Sequence, residues 1–193
     1  MVELIPESYV APLDLERIFG RVAPLHVDLG CGDGSFLFAL AQRDPRKNFL
    51  GIERLSGRVE KTSRKAEKID NMRVLNVETS YAVRYLLPKE SVEAFYLLFP
   101  DPWPKRRHHR RRIVTSGFLS SIQTALEEGG VLRIATDQLD YFEQIARFAS
   151  SQPQFMILDI ANIDLPPTKF ERRFQEQGTP IYRLVLRKVS PVR

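Results

Sequence analysis

Short apolar runs alternate with amphipathic stretches along most of the chain. Continuous apolar runs predict buried strands, and apolar residues at helical spacing predict the helices between them. The predicted strands are residues 25–29, 49–53, 72–77, 92–99 and 131–136. The predicted helices are residues 35–43, 57–69, 80–87, 116–127 and 141–150. This alternation is typical of a parallel sheet with helices on both faces, a doubly wound α/β fold.

The end of the chain departs from the alternation. Residues 155–160 and 181–189 predict two more strands, and the Leu-Pro-Pro sequence at 165–167 predicts a turn between them. We expect no crossover helix of ordinary length between these strands, so the last strand should run antiparallel. Because no repeat, low-complexity segment or linker interrupts the pattern, we predict a single domain over residues 1–193.

Composition narrows the class of protein. The 193 residues contain one cysteine, Cys31, which excludes a disulfide framework and a multi-cysteine zinc site, and we expect no metal. No apolar run approaches the roughly 18 residues of a membrane span. The first residues lack the features of a signal peptide. We therefore expect a cytoplasmic protein without a membrane partner.

The positive charge is concentrated in one segment. The net charge is +5, and residues 105–112 (Lys-Arg-Arg-His-His-Arg-Arg-Arg) carry six Lys or Arg, which leaves −1 for the rest. Clustered basic residues are typical of a polyanion partner. A solvated or disordered basic run is equally compatible with composition alone. We expect His108 and His109 to belong to this charged surface rather than to a catalytic site.

A glycine loop follows the first predicted strand. Asp28, Gly30, Gly32 and Gly34 form an Asp-x-Gly-x-Gly-x-Gly pattern where that strand passes into the first helix. Glycines there permit positive φ and a close approach of the backbone to a ligand. Open α/β sheets bind ligands at this carboxyl edge. A tight turn without a ligand is the alternative interpretation.

The residues around this loop indicate the class of cofactor. A dinucleotide loop reads G-x-G-x-x-G and holds a pyrophosphate, whereas this spacing differs and Asp28 and Asp33 would repel one. They suit a cationic cofactor such as S-adenosylmethionine. Glu53, 19 residues after Gly34, can accept both hydroxyls of an adenosine ribose. Glu78, at the end of the third predicted strand, lies near the adenine or caps the next helix.

A proline-rich segment follows the fourth predicted strand. Residues 99–104 read Phe-Pro-Asp-Pro-Trp-Pro, so the loop cannot be helical and should be stiff, with its carbonyls pointing outward. A rigid loop with the carboxylate of Asp101 and the aromatic ring of Trp103 suits a planar base. The alternative is a structural turn with Trp103 in the core. The basic run that follows would place phosphate-binding groups around such a pocket.

These motifs resemble the bacterial tRNA (guanine-N7)-methyltransferase family. The resemblance extends from about residue 25 to residue 189. It depends on Phe-Pro-Asp-Pro-Trp-Pro-Lys at 99–105, on the basic residues that follow, and on Thr-Lys-Phe-Glu at 168–171. It implies a Rossmann-like methyltransferase fold and transfer of methyl from S-adenosylmethionine to N7 of a variable-loop guanine in tRNA. The oligomeric state, monomer or homodimer, stays open.

The resemblance also implies roles for individual residues. Asp101 corresponds to the catalytic residue and to a cofactor contact, together with Asp28, Glu53 and Glu78. The positions that correspond to substrate contacts are Lys105, Asp137, Thr168, Lys169, Phe170 and Glu171. Thr168 and Glu171 also form the pattern of a helix-capping box, and both interpretations can hold. Asp28 and Glu78 differ in length from the commoner family carboxylates. The N-terminus is also shorter than in many members, which bears on auxiliary tRNA contacts.

Three other functions remain as alternatives. The Asp-Pro-Trp-Pro sequence is similar to the loop of amino-methyltransferases, although a second consecutive proline is missing and the basic run follows. A catalytically inactive nucleic-acid-binding protein on the same scaffold is the second alternative. An NAD-dependent dehydrogenase is the third, and the loop spacing and its acids argue against it.

Overall fold

The computed structural model describes residues 2–159 and 164–190. Residue 160, the last of one predicted strand, lies outside these ranges. The strands are β1 Glu3–Leu4, β2 Leu25–Leu29, β3 Asn48–Glu53, β4 Met72–Asn76, β5 Val92–Leu98, β6 Leu126–Thr136, β7 Phe155–Leu158 and β8 Tyr182–Lys188. The helices are α1 Leu15–Phe19, α2 Ser35–Arg43, α3 Ser56–Ala66, α4 Thr79–Tyr81, α5 Ser116–Ala125, α6 Leu139–Ser150 and α7 Lys169–Glu176. A π-helical turn, Ala82–Leu86, continues α4, and a 3₁₀ helix spans Arg106–Arg111.

All described strands form one sheet in the order β1-β4-β3-β2-β5-β6-β8-β7. The neighbours from β1 to β6 are parallel, and β8 pairs antiparallel with both β6 and β7. This confirms the predicted α/β class, the mostly parallel sheet and the antiparallel ending. The chain order reverses between β2 and β5, so a crevice opens at their carboxyl ends, where such sheets bind ligands.

The central strands are largely apolar and buried because helices cover both faces of the sheet. All six residues of β3 are buried. On one face α2 and α3 pack with Phe49 and Met72, and α3 contributes Ala66. On the other face α5, α6 and the π-helical turn pack around Phe95 and Tyr141. The sheet is therefore a rigid base for the loops at its carboxyl edge. No helix in the described part of the chain is long and apolar enough to cross a membrane.

The largest addition to the sequence prediction is α7, a short helix of eight residues between β7 and β8. Because β7 and β8 are antiparallel, α7 is not a crossover helix, and the expectation of no crossover helix of ordinary length holds. Helix α7 carries few apolar residues, so apolar periodicity does not reveal it, although its capping box does. β6 begins at Leu126 rather than at residue 131, because Leu126 pairs with Val92 before an irregularity that contains Gly129, with φ +78°. β1, α1 and the 3₁₀ helix were not predicted, since each is too short to show a period.

Candidate active site

The glycine loop connects β2 to α2 at the carboxyl edge of the sheet. Gly30, Gly32 and Gly34 have φ values of +81°, +58° and +72°, which side chains rarely adopt. The amides of Gly30 and Cys31 both donate to the carbonyl of Ile52 at 2.8 and 3.0 Å, which fixes the loop to the end of β3. The three glycines are thus required by the backbone path, as the sequence predicts.

The space above the loop is open and the space behind it is filled. A methyl group built on Gly30 or Gly32 would meet no atom within 4 Å. A methyl group built on Gly34 would lie 2.6 Å from Cγ2 of Thr62, whose hydroxyl donates to the carbonyl of Gly32 at 3.1 Å. The loop therefore packs closely on α3 and leaves its outer surface free for a ligand.

Asp28 and Glu53 place two buried carboxylates beneath this loop, each only 4% exposed. Glu53 ends β3, and its carboxylate accepts the amide protons of Gly32 at 3.1 Å and Leu55 at 2.9 Å. Burial, with the nearby charge of Glu53, raises the pKa of Asp28 to about 7. Asp28 therefore has a proton to gain or lose near neutral pH, so a bound cation or hydroxyl donor would set its charge.

Asp33, which we expected to repel a pyrophosphate, is paired with a basic side chain. Its carboxylate accepts a hydrogen bond from Nζ of Lys169 and the amide proton of Ser35, and Nζ of Lys65 lies 3.7 Å away. Partial burial raises the pKa of Asp33, but these donors outweigh it and lower the pKa to about 2. Asp33 is paired with Lys169 and lies near Lys65, and burial brings the pKa of Asp28 to about 7. Repulsion by these two acids is therefore a weaker argument against a bound pyrophosphate than we expected. The spacing of the glycines is the main argument that remains.

Glu78 follows β4 at the same edge and caps α4. Its carboxylate accepts the amide protons of Ser80 at 3.0 Å and Tyr81 at 2.8 Å. The side chain is exposed, in contrast to Asp28 and Glu53. Glu78 thus caps α4, which is one of its two predicted roles. To contact a cofactor as well, its oxygens would have to accept hydrogen bonds from the ligand in addition to those from the helix.

The proline-rich loop at residues 99–104 follows β5 and is strained. Phe99 has φ +54° and Trp103 has φ +43°, and both precede a proline. Bulky residues adopt such values only where the surrounding structure imposes them, at a cost of roughly 1–3 kcal/mol each. Asp101 lies between them and is exposed. The loop therefore holds a solvent-facing carboxylate in a fixed position beside the β2–β5 crevice.

Arg112 is the side chain that holds this loop. It is 3% exposed, and its guanidinium donates to the carbonyl of Pro102 at 2.8 Å, to Oε1 of Gln144 at 2.7 Å and to Asp140. It also lies over the ring of Tyr141 at 4.6 Å. The expectation that all six cations of residues 105–112 surround a pocket is wrong for Arg112. The expectation that the loop carbonyls point outward is likewise wrong for Pro102.

The rest of the basic run is a 3₁₀ helix on the surface. Lys105 precedes it, is exposed, and accepts the amide proton of His108 on its carbonyl at 2.7 Å. Trp103 is half-buried under Arg111, whose guanidinium lies 4.8 Å from the ring centre, and beside His108. The tryptophan therefore packs against the basic run rather than in the core, and Arg110 and Arg111 face solvent.

The Thr-Lys-Phe-Glu segment begins α7 with a complete capping box. Oγ1 of Thr168 accepts the amide proton of Glu171 at 3.0 Å, and the Glu171 carboxylate accepts from the Thr168 amide and from Arg183. Phe170 is 53% exposed and contacts Phe99, with 6.1 Å between the ring centres. The capping role is thus observed, and the segment lies against the first residue of the proline-rich loop.

The remaining predicted substrate residue, Asp137, directly follows β6. It is half-buried and accepts a hydrogen bond from the Gln138 side chain at 2.6 Å. All the predicted site residues therefore lie at or beside the carboxyl edge of the sheet. The contributions of Arg112, Arg183 and Lys65 were not predictable, since the position of a basic residue in the sequence does not reveal which carboxylate or carbonyl it will contact.

The residues present fit a nucleoside cofactor with a cationic group. The backbone at Gly30 and Gly32 is open to the approach of such a molecule, and the Glu53 carboxylate at the end of β3 supplies acceptors for ribose hydroxyls. Within residues 2–159 and 164–190, no group of three or more His, Cys, Asp or Glu side chains is arranged to hold a metal ion.

Comparison with known proteins gives a family. A family described as "Putative methyltransferase" matches residues 22–184. The tRNA (guanine-N(7)-)-methyltransferase of Halorhodospira halophila is 38% identical, and the match covers 95% of this chain and 82% of that protein. The protein of the same name from Thermotoga maritima is 36% identical, over 97% of this chain and 62% of its own length.

Solved structures share the fold at lower identity. An rRNA methylase from Streptococcus thermophilus superposes with a TM-score of 0.57 at 16% identity, over 87% of this chain and 88% of its own. A tRNA (m1A58) methyltransferase from Aquifex aeolicus gives a TM-score of 0.58 at 13% identity, over 87% of this chain and 63% of its own. These likenesses confirm the Rossmann-like methyltransferase fold.

Proposed function

The chain belongs to the tRNA (guanine-N(7)-)-methyltransferase family, and from this premise we propose that it transfers methyl from S-adenosylmethionine to N7 of a variable-loop guanine in tRNA. The observation that carries the proposal is the proximity of two loops. The glycine loop follows β2 and the Asp101 loop follows β5, and these strands are hydrogen-bonded neighbours at the point where the chain order reverses. A cofactor on one loop and a base on the other would meet in that crevice.

The cofactor side of the crevice uses Asp28, Gly30, Gly32 and Glu53, with Glu78 at the adjoining strand end. When bound, S-adenosylmethionine supplies an electrophilic methyl group on a sulfonium. Glu53 would accept the ribose hydroxyls while its amide contacts keep it in place. Gly30 and Gly32 would allow close approach of the backbone to the ligand.

The base side uses Asp101, with Lys105, Asp137 and the 168–171 segment around it. Guanine N7 has a free lone pair at neutral pH, so Asp101 need not remove a proton before attack. Positive charge develops on the imidazole ring as N7 is methylated. A fixed carboxylate can stabilise this charge, or it can orient the base by accepting hydrogen bonds from its N1–H and N2–H groups. The strained, arginine-anchored loop keeps Asp101 in one place, so catalysis would come chiefly from orientation.

The basic surface would bind the phosphate backbone. Arg110 and Arg111 are exposed beside the Asp101 loop, where cations can position a nucleic acid without reading its sequence. This arrangement favours a polynucleotide over a free nucleotide as the substrate.

The product distinguishes this function from the alternatives. Unmodified tRNA is incubated with S-adenosylmethionine and the chain, digested to nucleosides and analysed by mass spectrometry against methylguanosine standards. We expect N7-methylguanosine, and about tenfold less or lower still in a parallel reaction with Asp101→Asn at matched concentration and short time. A methyl group on an exocyclic amine would support the amino-methyltransferase alternative. Binding of cofactor and tRNA without any methyl transfer would support the inactive binding protein.

A further inference from the structure

Helix α7 lies between the two loops of the site and contacts both. Its first residue, Lys169, donates from Nζ to Oδ2 of Asp33 in the glycine loop. The ring centres of Phe170 and Phe174, in the same helix, lie 6.1 and 5.4 Å from the ring centre of Phe99, at the start of the proline-rich loop. The helix therefore connects the proposed cofactor side of the crevice to the proposed base side.

Few contacts hold α7 in this position. None of its residues is fully buried, whereas α6 buries Tyr141, Ile145 and Ala149. Helices in proteins owe most of their stability to the packing of an apolar face. Because α7 lacks such a face, the aromatic contacts, the pair of Glu171 with Arg183 and the pair of Lys169 with Asp33 determine where it lies.

Asp33 is held in place independently of Lys169. Its Oδ1 accepts a hydrogen bond from the Ser35 amide at 3.2 Å, and its backbone carbonyl accepts one from Nζ of Lys65 at 2.6 Å. Its side chain is 26% exposed, while that of Lys169 is 69% exposed. The aspartate is therefore the fixed partner, and the lysine is the partner that moves with the helix.

We propose that the ion pair of Asp33 with Lys169 positions α7 across the mouth of the site. Lys169, in contrast to the substrate contact that the resemblance implies for it, then supports tRNA binding through Asp33 rather than by contacting RNA itself. The inference deepens the proposed function and rests on it for its substrate. It makes the glycine loop, through Asp33, a positioning element for the substrate-binding segment. Asp33 is thereby a positioning residue that acts through α7.

A double-mutant cycle separates this role from direct RNA contact. The variants are Asp33→Asn, which keeps an acceptor for the Ser35 amide, Lys169→Met and the double variant. Each is measured for the KM of tRNA, kcat and the Kd of S-adenosylmethionine. We expect each single variant to raise the KM for tRNA about threefold to fivefold, as for a partly exposed ion pair. The double variant should show the same rise as either single one, with kcat and the cofactor Kd within twofold of the parent. An Asp33→Asn variant with unchanged KM, or additive effects in the double variant, would overturn the proposal.

Arg172→Met is the matched control, because it removes one positive charge from the exposed surface of the same helix. Its effect on KM should be additive with that of Asp33→Asn. If Arg172 and Asp33 were coupled as strongly as Lys169 and Asp33, the cycle would be reporting the net charge of α7 rather than one ion pair. That result would contradict the proposal.

Amide hydrogen exchange gives a readout that does not need activity. Asp33→Asn and Lys169→Met should each speed exchange at the amides of α7 and leave α6 unchanged. Unchanged exchange in α7 would overturn the positioning role whatever the activity. If the parent protein is inactive on tRNA but exchange behaves as expected, the proposed function fails and the link to substrate fails with it, while the positional contact stands.

Discussion

Arg112 offers the sharpest contrast within the basic run, because it is buried while its neighbours face solvent. Replacement by Met keeps much of the apolar volume and removes the donors to Pro102, Gln144 and Asp140. Hydrogen bonds of charged donors contribute about 1.5–3 kcal/mol each, less where the partner can be hydrated. The Asp140 side chain is 54% exposed and regains water, so most of the cost comes from the Pro102 carbonyl and Gln144. We expect Arg112→Met to lower the free energy of unfolding by about 2–4 kcal/mol.

Two measurements check this value. For a domain of this size, 1 kcal/mol shifts Tm by about 2–4 °C, so the Tm of Arg112→Met should fall by roughly 4–16 °C. Trp103 is the only tryptophan in the chain and lies in the loop that Arg112 anchors. Acrylamide should therefore quench the Trp103 fluorescence more strongly in this variant than in the parent, at temperatures below the unfolding transition.

The control is Arg110→Met, which removes the same charge from an exposed position. Surface substitutions change stability by no more than about 0.5 kcal/mol, so its Tm and its Trp103 quenching should match those of the parent. Equal Tm values for the two variants would refute the assignment of Arg112 as the anchor. A loss of stability without any change at Trp103 would show that Arg112 supports α6 rather than the loop.

Three further predictions concern the site. Asp101→Asn should keep the Kd of S-adenosylmethionine within about twofold and lower kcat for tRNA methylation about tenfold or more, because a fixed charge beside the base is removed; near-normal kcat in single-turnover assays would contradict its role. The double variant Arg110→Ala, Arg111→Ala should show a shallower dependence of log affinity for tRNA on log salt concentration, without a change in cofactor binding. The slope should fall by about 0.7–0.9 for each phosphate that these arginines neutralise in the parent. An unchanged slope in filter-binding titrations would show that neither arginine binds a phosphate. Asp28 has a pKa of about 7 in the folded state, against 3.8 for an unperturbed aspartate. Between pH 3.8 and about pH 7, Asp28 is therefore protonated in the folded state and ionised in the unfolded chain. Stability should therefore fall by up to about 1.4 kcal/mol per pH unit as pH rises through this window, and the Tm advantage of Asp28→Asn over the parent should grow from pH 5 to pH 8; a constant difference would show that Asp28 is not protonated in the fold.

Much of the sheet could be predicted because its strands are buried on both faces. Such strands read as continuous apolar runs, and β2 and α2 have the predicted bounds. The glycine loop was equally predictable, since only glycine adopts its φ values readily. α7 was not, because a helix that buries nothing leaves no apolar period, and only its Thr168–Glu171 cap marks it in the sequence.

The side-chain partners could not be predicted. Arg110, Arg111 and Arg112 are the same residue type, yet of the three only Arg112 is buried and donates to the carbonyl of Pro102, ten residues earlier. Asp33 has no basic neighbour in the sequence, and its partner Lys169 is 136 residues away in the chain. Charge that is counted along a sequence overstates the charge that a site presents, because pairing depends on the fold.

One measurement tests the central proposal most directly. Unmodified tRNA transcript is incubated with the chain and S-adenosylmethionine labelled in its methyl group, and the product is then cleaved chemically at N7-methylguanosine. We expect label in the tRNA and a single cut in the variable loop, with both abolished when that guanine is replaced by adenine. Label without a cut would place the methyl on another atom, and absence of label from cofactor-saturated reactions would contradict the assigned reaction.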